Sequence, residues 1–241
     1  MPSFRYELIC EGQGWSRVAG IDEAGRGPLA GPVVAAVAVI DRTAAKRKLL
    51  KLINDSKKLV LEDREAAYEA MVTSGIVQFA VAEASVEEID RLNILQATFL
   101  AMRRALQALA DQPDTGLPHT GLPHTVLIDG NQIPPELGCR AETIVGGDAH
   151  SYSIAAASIF AKVTRDRYMA RLAEAFPGYG WETNRGYGSQ RHLDALGRLG
   201  PTQHHRRSFA PITRLLLGLT GFGGDAAASH QSAPAAKISI D

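Results

Sequence analysis

Acidic side chains stand at three points where a strand or a helix is predicted to end or begin. Asp22 and Glu23 follow the apolar stretch "RVAGI", Asp129 follows "TVLI", and Asp148 lies in "GGDAHS". An unpaired carboxylate in an apolar strand is destabilising, so Asp22 and Glu23 indicate a function. Asp129 and Asp148 each have a structural alternative, a turn before glycine and a helix N-cap.

Four carboxylates at one site would repel one another unless cations held them. Carboxylate oxygens are hard ligands that suit Mg²⁺ or Mn²⁺. Two such ions about 4 Å apart clamp the attacking and leaving oxygens of a phosphodiester, and they generate the nucleophile without a histidine base. The sequence offers no Ser/His/Asp or Cys/His signature. The acids therefore predict metal-dependent hydrolysis of a phosphodiester.

Asp166, in "KVTRDR", competes with Asp148 for the fourth place in this set. The two are 18 residues apart, which on one continuous helix is about 27 Å. They cannot bind the same pair of ions. We choose Asp148, because it opens the predicted helix beside the strand ends, and we expect Asp166 to pair with Arg165, Arg167 or Lys162.

The elements that must position these acids form an α/β pattern. Strands are predicted in "RVAGID", "PVVAAVAVI", "IVQFAVAEA", "TVLIDG" and "AETIVG", and the second reads as a buried strand. Long helices are predicted in "SVEEIDRLNILQATFLAMRRALQALA", which opens with a capping box at Ser85 and Glu88, and in "DAHSYSIAAASIFAKVTRDRYMARLAEAF". Shorter helices are predicted around "EDREAAYEAM", "SQRHLDALGRL" and "PITRLLLGL". We expect one α/β domain with a mixed central sheet flanked by helices and extra C-terminal helices.

Composition limits the partners and the compartment. The chain has 241 residues, and its 26 Lys+Arg balance 26 Asp+Glu. Binding of nucleic acid would therefore depend on local basic clusters. No apolar run is long enough to span a membrane, and Cys10 and Cys139 form no metal or redox motif. We expect a cytoplasmic monomer, with a single disulfide left open as an alternative.

Two segments have the character of additions to this domain. The unit "TGLPH" occurs twice between residues 115 and 124, and a duplicated surface loop explains it better than metal binding by His119 and His124. The C-terminal segment is rich in Gly, Ala and Ser, which predicts disorder. We predict an N-terminal extension over residues 1–17, a catalytic domain over 18–217 and a disordered tail over 218–241.

Six motifs, taken in order, resemble ribonuclease HII, the type 2 ribonuclease H family. They are "GIDEAGRGPLAGPVVAAVAV", "INDSKKL", "LIDGN", "SIAAASIFAKVTRDR", "NRGYGSQRHLDAL" and "HHRRSFAP", between about Val18 and about Leu217. The resemblance implies the ribonuclease H-like fold and endonucleolytic hydrolysis of RNA in RNA–DNA hybrids, leaving 5′-phosphate and 3′-hydroxyl ends. It also implies cleavage 5′ of single ribonucleotides in duplex DNA, with two Mg²⁺ or Mn²⁺ ions. The family's four metal-binding acids fall on Asp22, Glu23, Asp129 and Asp148.

The same resemblance assigns residues that contact substrate. Gly25, Arg26 and Gly27 match the family's junction-sensing loop, and Tyr187 matches its junction-reading tyrosine. Glycines let the backbone approach a phosphate or a ribose 2′-hydroxyl, and a tyrosine can stack on a base or sugar. An ordinary tight turn and a surface aromatic are the alternatives on spacing alone. A dinucleotide-binding loop is excluded, because a strand follows the glycines instead of a helix.

Basic residues in motif-bearing segments are candidates for phosphate contacts. We choose Lys57 and Lys58 in "DSKKL" and Arg206 in "HHRRSF", because lysine and arginine neutralise backbone phosphates. Arg185 in "NRGYG" stands where the family often has lysine, which keeps the charge but changes the hydrogen-bonding geometry.

Neighbouring residues on a strand point to opposite faces. Asp22 and Glu23 can therefore share one site if the first strand ends at Glu23, where the glycines begin a turn. Two other functions stay open on the residues alone. One is a junction resolvase or DNA nuclease on the same metal scaffold, and the other is a nucleic-acid binding protein without catalysis.

Overall fold

The computed structural model describes residues 1–54, 56, 59–112 and 121–219. The five predicted strands are confirmed, as β1 Val18–Ala24, β2 Val33–Ile40, β3 Val77–Ala84, β4 Thr125–Asp129 and β5 Arg140–Ile144. They form one mixed sheet in the order β3-β2-β1-β4-β5. β2 pairs antiparallel with β1 and β3, and β4 pairs parallel with β1 and β5. The predicted mixed sheet is confirmed.

Helices flank this sheet and continue past its last strand. Their bounds are α1 Arg5–Gly12, α2 Arg47–Leu50, α3 Leu61–Ser74, α4 Val86–Leu92, α5 Ile94–Ala110, α6 Tyr152–Ala175, α7 Trp181–Asn184, α8 Gln190–Leu199 and α9 Ala210–Leu216, with a 3-10 turn at Gly147–Ala149. The capping box of Ser85 and Glu88 is present. The long helix predicted after it is broken at Asn93, whose φ is 72° and whose side chain caps α5.

Two helices form the main packing layers, one on each face of the sheet. The apolar side of α5 packs on β1, β2 and β3 around Ile21, Val37 and Leu106. On the other face, the alanines of α6 lie against β2. Small residues on α6 allow the two backbones to come close at Gly20 of β1, where an added Cβ would lie 2.1 Å from the carbonyl carbon of Ser153.

The C-terminal helices pack on the connection between β1 and β2. Leu29 and Ala30 of that connection share an apolar cluster with Trp181, Leu196 and Ile212. The amide of Leu29 donates to the carbonyl of Gly186 at 2.8 Å, so the β1–β2 connection also pairs with the loop after α7. The helices after α6 thus form a platform under one segment, residues 25–32.

The segment before β1 contributes a helix that the sequence analysis did not predict. Glu7 of α1 is buried and accepts hydrogen bonds from Ser151 Oγ at 2.6 Å and from the amide of Ser153 at 3.0 Å. Cys10 is buried beside Val18, and both cysteines of the chain are free thiols. Residues 1–17 thus pack against the start of α6.

Several expectations for the chain's loops and ends can be compared with the described residues only in part. His124 Nδ1 accepts the backbone N–H of Arg17 at 3.1 Å, and His119 lies outside the described residues. The predicted disordered tail lies outside them from residue 220 onward. No helix within the described ranges is both long and apolar enough to cross a membrane.

The contact at Gly20 predicts a strong stability effect. Gly20→Ala places a methyl group against backbone atoms of Ser153 and Ile154, so we expect the free energy of unfolding to fall by about 2 kcal/mol or more. Gly197→Ala in α8 is the control, since its Cβ would meet nothing within 4 Å, and it should raise stability by up to about 1 kcal/mol. Chemical denaturation measures both. Equal stability of the two variants would contradict the close packing of β1 on α6.

Candidate active site

Three aspartates meet at one edge of the sheet. β1 and β4 run parallel with Ile21 opposite Ile128, so Asp22 and Asp129 follow at the same level at the carboxyl ends of the two strands. The 3-10 turn brings Asp148 beside them, and one carboxylate oxygen of each residue lies within 4.8 Å of the others. This convergence is the group that the sequence predicted for Asp22, Asp129 and Asp148.

Asp148 reaches the site from a different element than predicted. It lies in the separate 3-10 turn, and α6 begins four residues later, at Tyr152, with Ser151 as its N-cap. The expectation that Asp148 opens the long helix is therefore wrong. The amide of Gly147 donates to Asp129 Oδ1 at 2.7 Å, which ties this turn to the end of β4. A side chain at Gly147 would collide with Ile154, at 2.5 Å from its Cδ1.

The carboxyl group of Asp22 has the most strongly perturbed environment of the three. Burial raises its pKa well above the usual range, and the charges of Glu23 and Asp129 raise it further. A hydrogen bond from Ser158 on α6 opposes this shift, and Ser158 Oγ lies 2.7 Å from Ser56 Oγ. Ser56 is therefore linked to Asp22 through the hydroxyl of Ser158.

The donor set suits a hard divalent cation. Three carboxylates lie together in a small volume, and all of their ligand atoms are oxygens. Mg²⁺ and Mn²⁺ prefer such ligands and would offset the mutual repulsion. The residues present therefore fit the divalent metal that the sequence predicted.

Glu23 lies beside this group and faces the other side of β1. The expectation that the first strand ends at Glu23 is wrong, because β1 continues through Ala24 and Glu23 pairs with Ala35 of β2. Strand alternation then turns Glu23 toward α5, where it borders a depression with Phe99. Its Oε1 lies 3.3 Å from Arg26 Nη1. Glu23 also lines the cleft that contains Asp22, so it can act at the rim of the site.

The Gly-Arg-Gly segment forms part of a turn held from behind by Arg206. This side chain is fully buried, and its guanidinium donates to the backbone carbonyls of Gly25, Arg26, Gly31 and Pro32, with the bond to Gly25 the shortest at 2.6 Å. Burial lowers the pKa of Arg206 to about 9. The predicted phosphate contact of Arg206 has to be corrected, because its nitrogens are used inside the protein.

A second buried guanidinium, that of Arg165 on α6, holds the same turn. It donates to the carbonyls of Pro32 at 3.1 Å, Ala30 at 3.0 Å and Arg185 at 3.0 Å. Burial lowers its pKa to about 10, so it stays charged at neutral pH. Sequence reasoning treated Arg165 only as a candidate partner of Asp166. The sequence could not reveal this role, because the carbonyls that Arg165 binds are distant from it along the chain.

Tyr187 projects over the turn from the loop after α7. Its side chain is exposed, and an added Cβ at Gly27 would lie 3.4 Å from the Tyr187 ring. Asp22, Asp129, the Gly-Arg-Gly segment and Tyr187 line one cleft of about 230 Å³. The side chain of Arg185 borders a separate depression beside Glu182. The predicted contacts of Lys57 and Lys58 lie outside the described residues.

Asp166 takes no place among the three aspartates and has structural partners. Lys162 Nζ lies 2.6 Å from its Oδ1, and Arg64 Nη1 lies 3.3 Å from its Oδ2. Pairing with Lys162 confirms one of the predicted partners. Burial lowers the pKa of Lys162, and Asp166 opposes that shift. Lys162 also lines the cleft, a position that the sequence analysis did not assign.

Aspartates at the carboxyl edge of a mixed sheet, beside a glycine turn, are the arrangement of a metal-dependent phosphodiester hydrolase. A sequence model of the family described as Ribonuclease HII matches residues 19–212. Ribonuclease HII of Paramagnetospirillum magneticum is 56% identical over 200 residues, covering 83% of this chain and 93% of the relative. That of Rhodospirillum rubrum is 54% identical over 216 residues, covering 90% and 92%.

A solved structure agrees with the sequence comparison. The ribonuclease H2 from Pyrococcus horikoshii OT3 matches with a TM-score of 0.63 and 26% identity, covering 83% of this chain and 96% of that chain. The chain belongs to the ribonuclease HII family. It is a metal-dependent ribonuclease H that acts on RNA–DNA hybrids, and it has the ribonuclease H-like fold that the sequence predicted.

The turn beside the aspartates predicts a stability difference between two neighbouring glycines. Gly25 has φ of 96°, and a Cβ there would lie 2.0 Å from Arg165 Nε. Gly25→Ala should therefore lower the free energy of unfolding by about 1–3 kcal/mol. Gly27→Ala meets only an ordinary contact with Tyr187 and should change stability by no more than about 0.5 kcal/mol. Thermal unfolding compares the two. A Gly25→Ala variant as stable as Gly27→Ala would contradict the close contact between the turn and Arg165.

Proposed function

We propose that this ribonuclease H cleaves RNA in hybrids and also cuts duplex DNA 5′ of single embedded ribonucleotides, leaving 5′-phosphate and 3′-hydroxyl ends. One observation carries the proposal. Asp22 and Asp129 of the aspartate cluster line the same cleft as a glycine turn and an exposed tyrosine. A phosphodiester held at the aspartates would therefore lie next to groups suited to contact a neighbouring ribose.

We assign the metal-binding role to Asp22, Asp129 and Asp148, with Glu23 completing the set from the rim. Two bound Mg²⁺ or Mn²⁺ ions would supply the attacking hydroxide and offset charge on the leaving oxygen. The chain's own part is to hold the carboxylates close together and oriented. Pairing of β1 with β4, and the bond from Gly147 to Asp129, support that role.

Recognition of ribose is assigned to Tyr187 and to the turn of residues 25–32, which Arg165 and Arg206 hold. Arg165 and Arg206 bind the carbonyls of the turn from inside, so the segment is held in shape before substrate arrives. The exposed ring of Tyr187 above Gly27 can stack on a sugar, and its hydroxyl can hydrogen-bond a 2′-OH. The exposed Arg26 is assigned to a phosphate contact.

We also propose that the enzyme acts in the cytoplasm as a monomer, with residues 18–217 as its catalytic domain. The side chains of the site all come from one chain. The two free cysteines are compatible with a reducing compartment. The family match over residues 19–212 supports the bounds of the domain. Arg185, Lys57 and Lys58 stay candidates for contacts with the phosphate backbone.

Asp129→Asn tests the metal-binding role. The substitution removes one of the three converging charges, so it should abolish cleavage of a hybrid and of a duplex with one ribonucleotide. It should also abolish the rise in melting temperature that Mg²⁺ or Mn²⁺ causes in the wild type, because a ligand that binds the folded state stabilises it. Differential scanning calorimetry and gel-based cleavage measure the two effects.

The matched control is Asp63→Asn, which neutralises an exposed acid in the first turn of α3. It should keep both cleavage and the metal-dependent rise in melting temperature. Full activity of Asp129→Asn would remove that residue from the site. Equal cutting of an all-DNA duplex by the wild type would replace the proposed substrate with general DNA hydrolysis.

Tyr187→Phe tests the assigned ribose contact. Loss of one hydrogen bond to a 2′-hydroxyl should lower kcat/KM on a duplex with a single ribonucleotide about tenfold, the equivalent of about 1.4 kcal/mol. A long hybrid offers many cleavable positions, so it should be affected much less. Steady-state kinetics on both substrates measures the ratio. An equal loss on both, or no loss, would refute the assigned role.

A further inference from the structure

A buried chain of hydrogen bonds ends at the backbone of Tyr187. His192 on α8 is fully buried, and its Nδ1 lies 2.8 Å from the carbonyl oxygen of Tyr187. Its Nε2 lies 3.0 Å from Trp181 Nε1 and 3.1 Å from His205 Nε2. His205 is also fully buried, and its Nδ1 accepts the amide of Thr202 at 2.9 Å.

The fixed donors and acceptors at the ends of this chain determine where the ring protons lie. The amide of Thr202 can only donate, so His205 Nδ1 accepts and the proton of His205 is on Nε2. The indole of Trp181 can only donate, and the carbonyl of Tyr187 can only accept, so His192 carries its proton on Nδ1. His205 Nε2–H then donates to His192 Nε2.

This arrangement requires both rings to be neutral. A second proton on His192 would meet the N–H groups of Trp181 and His205 at the same atom. Burial lowers the pKa of both histidines, that of His205 to about 3. His192 Nδ1–H therefore donates to the Tyr187 carbonyl throughout the neutral pH range.

The loop that carries Tyr187 needs such an anchor. Glycines flank Tyr187 on both sides, and Gly186 has φ of 86°, a conformation that glycine adopts readily. The Tyr187 side chain is exposed, so the backbone contacts of this residue have a large part in setting its position. Its carbonyl is held by His192 Nδ1 and by the amide of Ser189 at 2.8 Å.

We propose that His192, held by His205 and Trp181, is a positioning residue that sets where the Tyr187 ring stands above Gly27 and thereby sets the enzyme's preference for single embedded ribonucleotides. The inference rests on the proposed ribose contact of Tyr187. His192 touches neither the substrate nor the aspartates. It acts through the backbone of Tyr187 alone.

Two substitutions of His192 separate its two bonds. In His192→Asn the side-chain amide can occupy the place of Nδ1 and still donate to Tyr187. In His192→Gln the longer side chain places a carbonyl near the position of Nε2, which keeps an acceptor for Trp181 and His205 and drops the donor to Tyr187. The Gln variant should lower the ratio of kcat/KM on the single-ribonucleotide duplex to that on a hybrid about tenfold, as expected for one hydrogen bond. The Asn variant should keep most of the wild-type ratio.

A readout independent of activity follows the ring itself. The chain has six tyrosines, and ¹⁹F NMR of 3-fluorotyrosine-labelled protein identifies the Tyr187 resonance by its loss in Tyr187→Phe. This resonance should shift and broaden in His192→Gln and stay close to wild type in His192→Asn. An unchanged resonance in His192→Gln would overturn the proposal, whatever the kinetics show.

The outcomes distinguish this inference from the function on which it rests. If Tyr187→Phe lowers the ratio and His192→Gln moves the resonance without lowering it, the positioning role is wrong and the ribose contact stands. If Tyr187→Phe leaves the ratio unchanged, the ribose contact is wrong and the inference falls with it. Combining His192→Gln with Tyr187→Phe should lower the ratio no further than Tyr187→Phe alone.

Two further variants keep the proposal testable if His192→Gln does not fold. Trp181→Phe removes a buried donor to His192 Nε2 and leaves the bond to Tyr187, so it should lower stability and keep the ratio. If His192→Gln does not fold, His192→Leu also removes the donor to the Tyr187 carbonyl and keeps a side chain of similar volume. It should then lower the ratio and broaden the Tyr187 resonance, and an unchanged ratio and resonance would overturn the proposal.

Discussion

Repulsion among the aspartates is the constraint to which the rest of the site is adapted. Three carboxylates lie within 4.8 Å of one another, and the buried environment of Asp22 makes its charge especially unfavourable. The fold counters this with rigid supports, namely the parallel pairing of β1 with β4 and the bond from Gly147 to Asp129. The free energy stored in the cluster is then available to bind cations.

The glycine turn is supported by buried positive charge, as the aspartate cluster is built from negative charge. Arg165 and Arg206 are buried, and their hydrogen bonds all end on backbone carbonyls. Each guanidinium therefore keeps its full positive charge while it fixes the shape of the turn. Desolvation lowers both pKa values, but the fork of donors in arginine fits several carbonyls at once. A positive potential under this turn favours the approach of a phosphate backbone.

The sequence was sufficient to predict the five strands, the helices that flank the sheet in outline, and the three aspartates. Strand patterns, the capping box and acids at strand ends depend on neighbouring residues, and the structure agrees with them. That β1 continues past Glu23 could not be predicted from neighbouring residues, because it depends on the pairing of β1 with β2, in which Glu23 lies opposite Ala35. The turn that carries Asp148 was predicted as the first part of α6, because no glycine or proline follows Asp148 to mark the boundary.

Buried basic residues were the main source of error. Arg206 was assigned to phosphate because a run of histidine and arginine resembles a basic surface patch, whereas the fold places its side chain between distant carbonyls. Arg165 and His192 were missed for the same reason. Their partners lie far away in the sequence or on the backbone, where residue patterns carry no signal.

Helix α6 determines the spacing between the aspartates and the segments that we propose to contact ribose. Ser158 contacts Asp22, Lys162 lines the cleft, and Arg165 holds the turn, so these residues recur four and seven positions along one helix face. Seven residues of helix span about 10 Å. Arg165 also binds the carbonyl of Arg185, which joins the loop of Tyr187 to the turn. The distance from the aspartates to the two segments with a proposed ribose contact is therefore set by one helix.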